Sequence, residues 1–454
     1  MRLARPFHAT CVLIPAACFL GPQTANAQGI YRNGIGARSM SMGGADVAYA
    51  QGPLSAMAIN PGALSEVSGP SVDASLLGGL VTGDFKNAAN PNGSSLRENF
   101  RIGGEAAFAM PIGSLPITVG LSVIPEAPLE ANWRYVDTDP DGPGGSLVSY
   151  GLQQHKSEIM VLRSALGISW KINDQFSVGA SVGLIYNDNT LIAPYIFQTQ
   201  PALAGLKTLL NLQTDGYGVD GTFGALWKPN DKISVGISYK SPSTVHSHGD
   251  ANGDATVQLQ EAFDPAPPFP AGAGSFHYDA EVINHFPQMA TAGISWKVCP
   301  KWRVTGQVDW IDWSDAFDNL RVLLSNGSNA AINGAVGSSS MEDQVPLRWR
   351  DQFVFRGGVE YTFNENWDFR GGYSYGRSPV PSANLLPLVA AITEHTFGIG
   401  AGWHKGRYLV DLGYQYSIPA EQSVGNSALL SGEYSNSKVE VSAHALALTA
   451  GVRF

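Results

Sequence analysis

Apolar and polar residues alternate along most of this chain with a period of two, the spacing of strands whose two faces meet different surroundings. The pattern is clearest around five tight polar turns. Stretches 165–182, 222–239, 291–308, 356–373 and 398–414 each read as an alternating run, a turn and another alternating run. The turns are Asn173-Asp174, Pro229-Asn230-Asp231, Pro300-Lys301, Asn364-Glu365-Asn366 and Lys405-Gly406. These are hairpin signals. Within 157–171, Met160, Leu162, Leu166, Ile168 and Trp170 share one face, and Val161, Arg163, Ala165, Gly167 and Ser169 share the other. The alternation predicts 14 strands, near 69–82, 98–110, 116–125, 157–171, 174–188, 214–228, 231–245, 275–298, 301–325, 343–363, 366–378, 393–404, 407–418 and 437–454.

A soluble sandwich would bury the apolar face, whereas a transmembrane barrel turns it to lipid and keeps the small or polar face inside. Trp170, Trp227, Trp296, Tyr361 and Trp403 all precede a tight turn on the apolar face, as an aromatic girdle at one membrane interface would. Short turns alternate with long loops near 82–98, 125–156, 189–214, 245–274, 326–342, 378–392 and 419–436. The chain ends Leu446, Leu448, Ala450, Val452, Phe454, a final strand resembling the signal that the barrel assembly machinery reads in outer-membrane proteins. The fold class that follows is all-β, a 14-stranded antiparallel transmembrane β-barrel.

Composition agrees. Only 15% of the 454 residues are charged, 52 are Gly and 10% are aromatic. No apolar run reaches the roughly 20 residues of a spanning helix. The formal charge of −10 argues against nucleic acid as a partner. Residues 1–27 read as a secretory signal, with Arg2 and Arg5, an apolar core and a small-x-small site at Ala25-Asn26-Ala27. Cys11 and Cys18 leave with it, so Cys299 has no intrachain disulfide partner.

Residues 28–68 precede the barrel of 69–454 and join no strand. Stretch 34–67 is rich in Gly, Ala, Ser and Met, including Met40, Met42 and Met57, and nearly free of charge. A barrel of this size has a lumen wide enough to need filling. The stretch therefore reads as a plug, or hatch, in the lumen.

Three motifs resemble the long-chain fatty-acid transport porins of the FadL type and their aromatic-hydrocarbon relatives. Asn60-Pro61-Gly62-Ala63 is similar to the Asn-Pro-Ala signature ending that family's hatch, with one inserted Gly. Phe286-Pro287-Gln288-Met289 leading to Asp309-Trp310-Ile311-Asp312-Trp313-Ser314 resembles its paired "Pro-x-Met" and "W-S" elements. Stretch 363–373 with Ser378-Pro379-Val380-Pro381 is the most specific match. The resemblance implies passive uptake of hydrophobic small molecules across the outer membrane of a Gram-negative cell. The ligand lands between outer loops, enters the barrel, displaces the hatch and leaves sideways through a gap at the third strand into outer-membrane lipid, below the lipopolysaccharide. It implies no enzyme and no cofactor. The chain departs from fatty-acid members at 186–197, which holds no Lys or Arg, and at Thr393-Glu394-His395, where many carry an Asp-Arg pair. Both departures weaken the case for a fatty acid specifically and bring a neutral hydrocarbon or aromatic ligand nearly level with it, leaving hydrophobic transport intact. A general diffusion porin and an outer-membrane hydrolase are the rival classes.

Candidate sites follow from this reading. Arg163, Arg356 and Arg370 fall on the predicted lumen face, either orienting a polar ligand head or bracing the wall by ion pairs. Leu203, Leu206, Leu209 and Leu210 fit one side of a short amphipathic helix over 202–212, a landing site for ligand or a loop cap. Pro125 and Pro128 end the third strand and mark the wall gap or an ordinary loop start. His246, His248 and Asp250 read as solvated loop residues, so no metal is expected. A monomer is expected.

Overall fold

The computed structural model describes residues 29–138, 141–142, 145–146, 148–262 and 270–454; the expected signal, 1–27, lies outside the described residues. Fourteen wall strands follow in chain order. They are β1 (Ser71–Asn87), β2 (Phe100–Pro111), β3 (Ile117–Val136), β4 (Leu152–Lys171), β5 (Phe176–Ile196), β6 (Lys207–Asn230), β7 (Ile233–Lys240 and Ser243–Asp254) and β8 (Ser275–Phe286 and Met289–Cys299). The circuit continues through β9 (Trp302–Ile311 and Asn319–Ser325), β10 (Met341–Pro346 and Gln352–Asn364), β11 (Trp367–Gly376), β12 (His395–Lys405), β13 (Tyr408–Val424) and β14 (Ser437–Arg453). Each pairs antiparallel with the next, and β14 closes on β1 from Ser71↔Arg453 to Lys86↔Lys438. Closure of β14 on β1 removes the two outer edges that an open sheet would expose.

The faces sort as alternation requires. Outward residues are large, apolar and exposed: Leu166 at 69%, Trp170 at 54%, Phe223 at 60%, Leu446 at 52%. Their inward neighbours Arg163, Ala165 and Ser169 are buried. No helix among the described residues is long and apolar enough to cross a membrane; the strands do so.

The long-loop ends differ from the sequence reading. About 9–11 residues of tilted strand cross a bilayer, yet β5 has 21 and β6 has 24. The ladders of β3–β4 and β5–β6 run on through stretches read as loops, to Val136↔Leu152 and Ile196↔Lys207. Pro125 and Pro128 therefore do not end β3; they flank a bulge inside it. Stretch 202–212 is not a helix: residues 201–205 form a turn and β6 starts at Lys207. Spacings of three and four among leucines fit helix, but Leu210 and Leu212 also alternate as a strand does, and extension of the β5 ladder selects the strand. His246, His248 and Asp250 likewise lie on β7, not in a loop.

Candidate functional site

The segment before the wall is helical only in pieces: α1 (Gly36–Ser41), α2 (Pro53–Ile59) and a 3-10 turn over Pro61–Glu66. It touches the inner wall all round. A Cβ added at Gly236 on β7 would sit 2.0 Å from the Val47 carbonyl. One at Gly372 on β11 would sit 2.2 Å from the Gly43 nitrogen, and one at Gly413 on β13 2.2 Å from the Ala37 carbonyl. Wall glycines thus admit the segment's main chain at distances that no side chain allows. Met40, Met42 and Met57 are buried there, with the Met57 sulfur against Gly120 and Gly167.

The Asn60-Pro61-Gly62-Ala63 motif is a fixed anchor. The Asn60 side chain accepts from the Gly62 amide at 3.0 Å and so caps the 3-10 turn; its Nδ2 donates to the carbonyls of Val47 (2.7 Å) and Ala225 (3.0 Å). The Gly62 carbonyl accepts from Ser169 (3.1 Å) on β4 and Ser177 (2.9 Å) on β5. Ala63 packs with Met57 and Leu64.

Charges hold the other side. Gln415 Nε2 donates to the carbonyls of Asn33 (2.7 Å) and Met40 (2.8 Å), and Gln307 Oε1 accepts from the amides of Asp46 and Val47, both at 2.9 Å. The predicted arginines belong to this lattice. Arg356 pairs with Asp309 at 2.6 Å and donates to the Gly43 carbonyl at 3.1 Å. Arg370 pairs with Glu360 at 2.7 Å and with Asp411, and Glu360 also binds Arg38 at 2.9 Å. Arg163 Nη2 lies 2.7 Å from Asp220, whose second oxygen is 3.4 Å from Lys240. All three arginines are buried and committed to carboxylates, and none lines the apolar cavity described below. They brace the wall and the segment within it.

The wall is incomplete between β2 and β3. Their ladder runs only from Pro111↔Thr118 to Ala106↔Val123. Beyond it β2 stays paired to β1 as far as Phe100, and β3 stays paired to β4. A bulge at Glu126, between Pro125↔Leu162 and Ala127↔Val161, turns β3 aside here. Proline at 125 and 128 removes two donors on the unpaired stretch, where none is needed. Arg32 spans the break: it pairs with Glu105 on β2, and its Nη1 donates to the Pro125 carbonyl at 3.0 Å. Arg101 and Glu130 form a second bridge. Ala127, Leu129 and Ala131 on the unpaired stretch belong to one apolar cluster with Tyr31, Trp313 and Trp349.

Toward the long loops lies an apolar cavity of about 140 Å³. Leu191, Leu212, Val282, Val322, Leu347 and Leu388 are among its walls, and among the described residues no Lys, Arg or His lines it. Its Asp343 is satisfied by the amides of Gln198, Thr199 and Gln200. Leu203 and Leu210 are buried in the packing beside it, Leu206 and Leu209 are half-buried, and Leu210 reaches the cavity wall. They form no exposed landing surface. The cavity residues on β8 to β10 and in loop 378–392 escaped the sequence reading; the period-two run at Leu320, Val322 and Leu324 was its only local signal.

Solved structures with this fold are numerous. The Pseudomonas putida toluene transporter TodX superposes with a TM-score of 0.72 at 19% identity, covering 94% of this chain and 100% of that one. A Pseudomonas aeruginosa FadL homologue superposes at 0.71 with 14% identity, covering 94% and 100%. In sequence, the long-chain fatty acid transport protein of Salmonella typhi is 19% identical over 54% of this chain and 55% of that protein. Alkane uptake protein A of Marinobacter nauticus is 30% identical over 25% of each. The chain thus spans about half, or less, of the length of these relatives. Residues 18–454 match the outer membrane protein transport protein (OMPP1/FadL/TodX) family, and the chain belongs to it.

Proposed function

We propose that this barrel takes up neutral hydrophobic molecules, hydrocarbons including monocyclic aromatics, passively across the outer membrane. The observation that carries this reading is the apolar cavity without a cation. A buried carboxylate lacking a cationic partner bears a large desolvation penalty, and every lumen arginine singled out above is already paired. An apolar cavity of about 150 Å³ accommodates benzene, close to the volume found here. A toluene transporter and an alkane uptake protein among the similar proteins support the same class.

In this reading ligand collects in the cavity beneath the long loops and moves along the apolar cluster to the break between β2 and β3. There it passes sideways into outer-membrane lipid, bypassing the lipopolysaccharide layer. Residues 29–67 act as the hatch that keeps the lumen closed to water. The chain works without cofactor, as a monomer, after insertion by the barrel assembly machinery. A general diffusion porin would need an open lumen, which the close fit of the segment against the wall glycines argues against.

The test is equilibrium binding of toluene and of a long-chain fatty acid to the purified barrel, with Leu320→Trp as a cavity-filling variant. Toluene binding that the variant abolishes supports the proposal. Fatty-acid binding at least tenfold tighter than toluene, and lost in the same variant, overturns the neutral-ligand assignment.

A further inference from the structure

The outward face of the wall beyond the lipid belt carries a cluster that transport does not use. On β6 the last large apolar outward residue is Tyr217; Asp215 and Gln213 follow outward, and Gln213 pairs with Asp250 on β7. Asp250 stands opposite Asp279 on β8, and Asn252 opposite His277. Ligand atoms of Asp250, His277 and Asp279 all lie within 4.8 Å of one another. Like charges directly opposite on paired strands repel, and a cation between them, a protonated His277 or a metal ion, offsets that cost.

Hydrogen bonds around the cluster orient two of the three groups, His277 and Asp279. His277 Nδ1 lies 3.1 Å from the Oδ1 of Asn252; in the neutral tautomer whose Nδ1–H donates to that oxygen, the Nε2 lone pair faces the carboxylates. Nε2 is 3.6 Å from Asp250 Oδ1 and 3.8 Å from Asp279 Oδ1. Asn326 donates to Asp279 Oδ2 at 2.6 Å, leaving Oδ1 free to face the centre. An imidazole whose far nitrogen is held by an amide oxygen, with an oriented carboxylate beside it, is how proteins prepare metal ligands.

We propose that Asp250, His277 and Asp279 form a divalent transition-metal site on the outer surface of β7 and β8. One imidazole and two carboxylates suit Zn²⁺ better than Mg²⁺ or Ca²⁺, which favour oxygen alone. All three side chains are solvent-accessible, so the ion enters without opening the barrel. Nearby His246 pairs with Glu281 at 2.6 Å, and His248 stands opposite Glu281; both lie outside the three-residue set. The site is independent of the transport reading.

The experiment is calorimetric titration of Zn²⁺ into intact, tag-free protein in detergent. One equivalent should bind. Asp250→Asn, His277→Ala and Asp279→Asn should each weaken it at least tenfold, and Asn252→Ala should weaken it too, since second-layer partners are worth roughly 10- to 100-fold in affinity. His248→Ala should leave it unchanged. Absence of binding to the intact protein, or equal affinity in the three ligand variants, overturns the assignment. Heat-modifiable mobility on gels verifies that each variant is folded.

Discussion

The Arg32 guanidinium donates to the main-chain carbonyl of Pro125 over 3.0 Å, tying the start of the inner segment to the bulged wall strand. The same side chain pairs with Glu105 on β2, and the Arg32 amide donates to the Glu126 carbonyl at 3.1 Å. One residue of the segment therefore holds both sides of the break between β2 and β3. Movement of the segment is therefore expected to disturb the wall at this break through Arg32.

Arg32→Ala is expected to free residues 29–36 while the barrel still assembles, because no wall-ladder bond is lost. Removing one partner of a buried pair costs about 3–5 kcal/mol locally. Hydrogen exchange should accelerate in 29–36 and around Glu105 and leave β8 to β13 unchanged. Uniform acceleration would mean that Arg32 supports the whole fold.

Gly372→Val should displace the segment, since the new side chain meets the main chain of Met42 and Gly43. Single-channel conductance in planar bilayers should rise above that of the unaltered protein, and deletion of 34–67 should raise it further. Conductance that stays at the wild-type level in both variants contradicts the hatch role.

Arg163→Ala should strip Asp220 of its closest cation and reduce stability by about 3–5 kcal/mol, read by denaturant unfolding in detergent. Toluene binding by the folded fraction should be unchanged, because Arg163 does not line the cavity. A tenfold loss of binding would return Arg163 to the ligand site.

Glu433 sits in the loop between β13 and β14 and lines the cavity. Burial pushes its carboxyl up to about 8; Lys207 pulls it down, and Asp137 adds to the rise. The closed loop holds a proton that the open loop releases, so closure is strongest below the ordinary carboxyl value near 4.5 and weakens as pH climbs to about 8. Amide exchange of 428–434, corrected for intrinsic rate, should be faster at pH 9 than at pH 6, and Glu433→Gln should flatten the difference. A flat wild-type profile contradicts this.

Much of the fold was legible in local pattern. Trp170, Trp227 and Trp296 before tight turns gave the lipid face and the strand count, because alternation and girdle are properties of neighbouring residues. Strand ends were not legible. Pro125 and Pro128 read as a stop, since proline cannot show from sequence whether the donor it lacks was needed; β2 supplies no partner there. Leu203 to Leu210 satisfied two periodicities, and only the facing strand β5 chose between them. The lattice joining Arg38 to Glu360 and Arg356 to Asp309 was hidden for a different reason. Its partners are far apart in sequence or on separate strands, and their matching depends on how the segment lies in the lumen. The meeting of Asp250, His277 and Asp279 is likewise invisible in sequence, because only the β7–β8 register brings them together.

The proposed uptake route requires that a neutral hydrophobe occupy the apolar cavity. The most direct measurement is anomalous diffraction from crystals soaked with an iodinated aromatic hydrocarbon. A strong iodine peak is expected among Leu212, Val322 and Leu388, absent from Leu320→Trp crystals. Iodine found only on the outer, lipid-facing surface, with the cavity empty of anomalous signal, would contradict it.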